Sequence, residues 1–576
     1  MNNTNQEIAK IFRHIAFILE VQGVAFKPRA HERAAESLEN LNQDVLALYN
    51  IGGVKALLEI PAVGKGLADH IEEYIKTKKI TEYEKLRKSF PVDIEELSSV
   101  EGLGPKKVKE LYEKLGVKNL IDLEKAVQQG KVADLERFGQ KSEENIKKGI
   151  EFLKKSTGRV PLGHILPLVR EIESKLSAVS GVKKVVVAGS VRRFQETVGD
   201  IDLLATSTHP KKVMEVFANL PEVQSVYAKG LTKTLVRLKI GLDADLRVVA
   251  PESFGAALQY FTGDKNHNVK LRVIAIKKGY KLNEYGLFKG TKNIACKTEE
   301  EIYEKLEMDC PAPELRRDSG EIEAAQKRKL PKIIPFGSLK GDLQTTTNWT
   351  DGTVSIKEMA RAAQKYGLEY IAITDHTKSL AMANGLNEKS LAEQCKEIDK
   401  LNAQNKNFKI IKSAEVNINK DGTLDIDDIT LAKLEIVSAA VHSSFKMKKE
   451  EMTKRIIRAF EHPLLNILFH PTGRLINRRE PYELDMERII KAAKANNVAL
   501  ELDCFPDRMD LKDIYIRQAV ARGVKIAIDT DAHHPSHFQF LELGIGTARR
   551  AWVKKEDVIN TWPLEKLLKW ARDKRL

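Results

Sequence analysis

Residues 182–206 of this 576-residue chain contain the segment VVVAGSVRRFQETVGDIDLLAT, in which two aspartates, Asp200 and Asp202, flank one isoleucine. Alternation along a strand puts positions i and i+2 on the same face, so both carboxylates point the same way. Such a pair repels itself and attracts a hard cation such as Mg²⁺. A DxD triplet alone is also what an ordinary solvated strand end looks like; the flanking residues argue for chemistry. The Gly189-Ser190 turn offers N–H donors and a hydroxyl to a phosphate, and Arg192 and Arg193 add positive charge. A third carboxylate stands in LDADLRVVA. Asp245 is preferred over its neighbour Asp243 because Arg247 and the apolar run follow it in strand phase. Three carboxylates can hold two Mg²⁺ ions, the set needed to activate a sugar hydroxyl and stabilise a departing pyrophosphate.

A second constellation lies in the C-terminal third. His376 follows YIAITD, Glu415 follows KIIKSA, His442 follows VSAAV, His470 follows NILF, and Asp531 and His533 follow IAIDT. Each stands where a strand-like run gives way to a loop, which would gather the side chains at one barrel mouth. A lone histidine is usually structural, whereas this convergence points to metal ions. Asp503, in ELDCFPDRMDL, stands in a loop positioned to join the same mouth.

The elements that must hold these groups are legible from periodicity. Residues 1 to about 85 read as short helices, beginning with NQEIAKIFRHIAFILEVQG and a stop at Gly23. Two segments, LEIPAVGKGLADHI and LSSVEGLGPKKVKEL, share one plan of helix end, glycine-bounded turn and second helix. Gly64 and Gly66, or Gly102 and Gly104, let the new helix N-terminus approach a phosphate closely, with Lys65 and Lys106 beside them. The bland alternative is a pair of ordinary helical hairpins; two copies in a basic chain favour DNA. From about Val160, β-branched runs alternate with helices. Residues 316–335 are charged and proline-ended and read as an interdomain linker, helical in part. From Phe336 onward, repeated strand-then-helix units suggest a β/α barrel. The net charge of +14 suits a polyanionic partner. The four cysteines form no CxxC pair, which argues against a zinc finger and suits a reducing cytoplasm. No secretory start and no apolar run of membrane-spanning length is present.

Taken in order, GS…RR…ETVGDID, DLRVV, YFTGDKNHN and KLNEYGLF resemble the palm and thumb of family X DNA polymerases, the DNA polymerase beta type. The resemblance extends over residues 1 to about 315. It implies that Asp200, Asp202 and Asp245 bind two Mg²⁺ ions, with Mn²⁺ as a possible substitute, and that Asp245 helps deprotonate the primer hydroxyl. It further implies that Arg159, Ser190, Arg193 and Gly199 hold the incoming triphosphate. Tyr260, Phe261 and Gly263 would wall the sugar against a 2′-hydroxyl, plain core packing being the alternative for the two rings. Asn268 would reach the base or minor-groove edge, and Arg272 the template. In relatives with lyase activity a lysine forms a Schiff base after the first hairpin; here His70 takes that position, and an imidazole cannot form the imine.

The C-terminal third resembles the polymerase and histidinol phosphatase (PHP) domain, in which zinc or manganese ions activate water to cut phosphodiester bonds. The family's first ligand motif, D-L-H-x-H, reads Asp342-Leu343-Gln344-Thr345-Thr346 here, so both imidazoles are missing. The expectation is a multidomain chain: a helical domain over 1–88, a fingers-like helical domain over 89–158, an α+β nucleotidyltransferase palm and thumb over 159–315, the linker 316–335, and a distorted PHP-like β/α barrel over 336–576. The expected activity is gap filling on gapped or primed DNA from dNTPs in DNA repair, base excision repair included. The protein would act as a cytoplasmic monomer with no membrane partner, and its barrel would be impaired as a 3′-5′ exonuclease. Two other readings are a DNA phosphoesterase to which the polymerase half delivers DNA, and a non-enzymatic DNA-end scaffold, which the intact carboxylates disfavour.

Overall fold

The computed structural model describes residues 3–39, 41, 44–98, 100, 103–155, 158–380 and 383–574. Among these, no helix is long and apolar enough to cross a membrane. By contacts the chain divides into two bodies, one of residues 1–157 with 475–480, the other of 158–474 with 481–576.

The first body is helical. One core gathers Ile8, Phe12, Ile15, Leu38, Leu57 and Ile71. A second gathers Ile18, Leu97, Val108, Leu111, Leu123 and Ile146. The two helix starts have matching backbone geometry. The helix Lys65–Thr77 starts from Gly64 (φ −83°, ψ 175°) and the helix Pro105–Leu115 from Gly104 (φ −86°, ψ 173°). Neither start is capped by a side chain, so the first-turn N–H groups keep donors to offer. Both helices bury one stripe, Leu67, Ala68, Ile71 and Tyr74 in the first, Val108 and Leu111 in the second.

In the second body, five strands form the palm sheet. In spatial order they are Val182–Val187, Asp200–Ser207, Asp243–Val248, Lys233–Leu238 and Val223–Lys229. The two aspartate-bearing strands are central and parallel; all other neighbours are antiparallel. The β-branched runs suit strands packed on one face against helices. A three-stranded meander over Lys281–Asn283, Gly286–Lys289 and Lys292–Ala295 builds the thumb with the helices Lys265–Lys277 and Glu299–Lys305. The C-terminal third has a three-stranded and a five-stranded parallel sheet. A bridge between His376 and Glu415 links them, and one between Thr345 and Ala532 joins the first strand to the end of the last. The result is the distorted β/α barrel that the strand-then-helix repeat implies.

Residues 316–335 depart from the linker expectation. They include the helix Glu321–Gln326 and bury Arg316, Glu321, Ile322 and Ala325. Several of their charges are held in ion pairs: Arg316 with Glu299, Arg317 with Asp513, and Glu321 with His267 at 2.7 Å. The short helix agrees with the expectation of partial helix, but a segment held by fixed partners packs into its surroundings instead of linking separate units, and palm, thumb and barrel form a single body.

Candidate functional site

In the palm, Asp200 pairs in register with Asp243, and Asp202 with Asp245. All four share one face by strand alternation. Asp243 pairs with Arg237 at 2.9 Å, and Asp245 is the carboxylate in register with Asp202. Burial, then the neighbouring Asp200 and Asp245 charges, push the Asp202 carboxyl up to about 6. Like charges held this close are stabilised by a cation. Asp245 Oδ2 lies 3.3 Å from both Lys233 Nζ and Arg247 Nη2. Three buried polar atoms around this face have no hydrogen-bond partner: Asp245 Oδ1, Ser190 Oγ and Arg193 Nε. Unsatisfied donors and acceptors at one place fit a ligand that is both cationic and anionic, as a metal-bound triphosphate is.

Gly189 opens the short helix Gly189–Arg192 with φ 59°. A Cβ there would lie 2.1 Å from Asp202 Oδ2, so the carboxylate uses the space a side chain would fill. Arg193 donates to the Thr262 carbonyl. Arg192, expected to add charge toward phosphate, is instead committed to the thumb. It bonds Thr262 Oγ1 at 2.6 Å and Glu299 at 3.0 and 2.7 Å. Burial pushes the Glu299 carboxyl up, but Arg316 and then Arg192 overcome this and hold it at about 2. Arg159 reaches Thr197 Oγ1 at 3.1 Å and the Thr197 carbonyl at 2.5 Å, with its guanidinium against Gly199.

Tyr260 and Phe261 meet edge to face at 5.1 Å, and the Arg247 guanidinium lies 4.5 Å over the Phe261 ring. Phe261 also packs on the small palm core of Leu204 and Phe254. Gly263 ends their helix (φ 27°). Asn268 is occupied internally, donating to the Tyr260 carbonyl at 2.6 Å and accepting from Gln259 at 2.8 Å. Arg272, Lys65, Gly66 and Lys106 are exposed; Gly102 lies outside the described residues. His70 pairs with Glu82 at 3.0 Å and lies 6.2 Å from the His31 ring.

In the barrel, Glu415 is the hub. Its Oε1 lies 2.9 Å from His442 Nε2 and 2.8 Å from His470 Nε2, and its Oε2 3.5 Å from His376 Nδ1. Among the described residues, two groups bring ligand atoms within 4.8 Å of one another: His376, Glu415 and His442, and Asp351, His376 and His533. Asn417 orients His442 through Nδ1 at 2.7 Å, the outer support a metal-binding imidazole requires. Asp351 is a group that strand-end reasoning does not reach, because it sits in the loop after the first strand. Asp375 anchors that loop, accepting from Thr347 N at 2.8 Å and from the Thr347 and Thr350 hydroxyls at 2.6 and 2.7 Å.

The first-strand side of the mouth differs. Gln344 and Thr346 are fully buried, and the Gln344 amide lies 3.3 Å from Glu415 Oε2. Asp531, expected as a metal ligand, falls in neither group. Its carboxylate lies 3.4 Å from Arg508 Nε, which is also 3.2 Å from Asp503. One guanidinium thus sits between two carboxylates, next to the strand where the imidazoles are missing. Asp503, expected in a loop, is instead the last residue of the strand Ala499–Asp503 and is a partner of Arg508.

A palm with a thumb, preceded by tandem helical hairpins and followed by a β/α barrel with clustered histidines and carboxylates, defines the class. The family signatures agree. The DNA polymerase beta thumb matches residues 257–317, a helix-hairpin-helix domain 3–80, a SAM-like helix-hairpin-helix tandem 94–151, and the PHP domain 342–504. The chain is 38% identical over 566 residues to the DNA polymerase/3′-5′ exonuclease PolX of Bacillus subtilis, covering 97% of this chain and 98% of that protein. It is 26% identical over 344 residues to DNA polymerase lambda of Arabidopsis thaliana, covering 52% and 60%. It is also 28% identical over 235 residues to a probable phosphatase of Thermoanaerobacter sp. (strain X514), covering 38% and 89%. The chain belongs to the family X DNA polymerases that carry a C-terminal PHP domain. The helical hairpins and the thumb mark it as a DNA-binding protein.

Proposed function

We propose that the protein is a template-directed DNA polymerase that fills short gaps during repair, base excision repair among its settings, from dNTPs in the cytoplasm and as a monomer. The observation that carries this reading is Asp202 in register with Asp245 and two residues after Asp200, with the Asp202 carboxylate against Gly189 and the neighbouring Ser190 Oγ and Arg193 Nε unpartnered. The three aspartates would hold two Mg²⁺ ions, or Mn²⁺. When bound, these cations neutralise the phosphates and make the primer hydroxyl more acidic. Asp245 accepts the primer proton, and Ser190, Arg193, Arg159 and the Gly199 backbone hold the triphosphate. The ring of Tyr260 and the turn at Gly263 stand beside the sugar, with Asn268 fixing the carbonyl of that wall and Arg272 toward the template. Gly64, Lys65, Gly66, Gly102, Gly104 and Lys106 grip backbone phosphates irrespective of sequence.

The alternative is a 3′-5′ exonuclease as the main activity, favoured by the two ligand groups at the barrel mouth. Zinc or manganese would be held by Glu415, His442, His470 and His376, and by Asp351, His376 and His533. Gln344 and Thr346 supply no imidazole to a further ion, and Arg508 already neutralises Asp531, so we assign the barrel weak or no exonuclease activity. Primer extension and primer degradation on gapped DNA, with Mg²⁺ or Mn²⁺ and with or without dNTPs, separate the two. Asp202→Ala should abolish incorporation while gap affinity is retained. Robust extension by the Asp200→Ala/Asp202→Ala double variant would sink the polymerase reading.

A further inference from the structure

The palm loop between Arg193 and Gly199 is held by residues of the barrel. Arg474 Nη1 and Nη2 donate to both oxygens of Glu196, at 3.0 and 2.7 Å, and Nη2 also reaches the Met509 carbonyl. Arg550 donates through Nη1 to the Phe194 carbonyl and through Nε to Asp513 at 3.0 Å, with Nη2 3.7 Å from Glu196. Both arginines are buried, Arg474 at 4% exposure and Arg550 also at 4%. Phe194 takes a left-handed backbone (φ 49°), and its ring fills the space above Gly546, where a Cβ would lie 2.2 Å from it. A bulky residue at positive φ persists only where its surroundings over-determine it. Here the barrel supplies those surroundings.

This loop has no fold of its own beyond the two-residue strand Thr197–Val198. Yet it fixes two groups assigned to the triphosphate. Arg193 immediately precedes Phe194, and Arg159 is aimed by Thr197. We infer that Arg474 and Arg550 of the barrel are positioning residues for nucleotide binding in the palm, acting through Glu196 and Phe194. A bidentate guanidinium–carboxylate pair constrains orientation as well as distance, and its burial means that removing one partner leaves the other charge uncompensated. The PHP barrel therefore has a task in polymerisation that does not depend on its own metal ligands.

The inference rests on the polymerase reading, and the test separates their failures. Full-length protein is bound to gapped DNA carrying a dideoxy-terminated primer, and dNTP affinity is measured with Mg²⁺ by titration, a readout that needs no turnover. Arg474→Met and Glu196→Gln should each weaken dNTP binding about tenfold or more, and Arg474→Lys less. The Arg474→Met/Glu196→Gln double variant should be no worse than the weaker-binding single variant, the signature of a coupled pair. With an extendable primer the loss should fall on KM, with kcat within about threefold and gap affinity unchanged. If Arg474→Met fails to fold, Glu196→Gln decides, because it replaces an isosteric and less buried group. Unchanged dNTP affinity in folded Glu196→Gln and Arg474→Lys, beside a wild type that binds dNTP, overturns the inference alone. A wild type that binds no dNTP overturns the polymerase reading and the inference with it.

Discussion

Gly189→Ala probes the palm more sharply than removal of any carboxylate, because it removes no charged group. The new Cβ would start 2.1 Å from Asp202 Oδ2, and contacts under 3.0 Å are not tolerated. The Asp202 carboxylate must therefore retreat by about 1 Å, a displacement that can cost on the order of 10²-fold when it misplaces a group in the reacting geometry. The backbone adds its own penalty: φ is 59°, and an alanine there costs about 1 kcal/mol. That is a few degrees of melting temperature for a domain of this size. Gly241→Ala isolates the second effect, since Gly241 has φ 81° and nothing within 4 Å of its missing Cβ. The assay is single-turnover insertion of one nucleotide into a one-nucleotide gap, with gap affinity by fluorescence anisotropy and a thermal melt alongside. Gly189→Ala should insert about 100-fold more slowly at unchanged gap affinity, and Gly241→Ala at nearly the wild-type rate. Insertion by Gly189→Ala within about threefold of wild type would refute the placement of Asp202 at the reacting centre.

Two further outcomes follow from the ion pairs and the barrel. Glu299 is held at about 2 against an ordinary 4.5, so its contribution to stability is complete above pH 4.5 and is lost as pH falls from there toward 2. Glu299→Gln should lower stability at neutral pH by roughly 3 kcal/mol, since Arg192 and Arg316 lose their counter-charge, and should flatten the acid limb between those values; denaturant midpoints across pH check both. Gln344→His with Thr346→His should raise bound metal by about one ion per chain, read by elemental analysis, together with primer degradation; efficient degradation by the unmodified protein, abolished by His470→Ala, would show that substitute ligands suffice.

Much of the site is legible in the sequence because the rules that place it are local. Strand alternation puts Asp200 and Asp202 on one face and likewise Asp243 and Asp245; that Asp245 is the one in register with Asp202, while Asp243 pairs with Arg237, is seen only in the sheet. Strand ends in the C-terminal third carry His376, Glu415, His442 and His470 to one mouth, since a β/α repeat returns every strand end to the same side. The missing imidazoles at Gln344 and Thr346 need only a motif and its spacing. The two glycine-bounded helix starts likewise follow from short-range turn chemistry.

What the tertiary structure decided lies in partners far apart along the chain. Arg192 looks like a phosphate ligand in sequence, but Glu299, 107 residues away, claims it. Arg508 enters the barrel mouth between Asp503 and Asp531, and Asp351 joins His376 and His533 from a loop with no strand-end signature. The charged run 316–335 resembles a tether until its partners Glu299, His267 and Asp513 are seen. Arg474 and Glu196 meet across 278 residues. Periodicity reports which face of an element is buried, but it carries no information about which distant charge will be there. Only packing the elements together determines which carboxylates are left for a cation and which are already neutralised by an arginine.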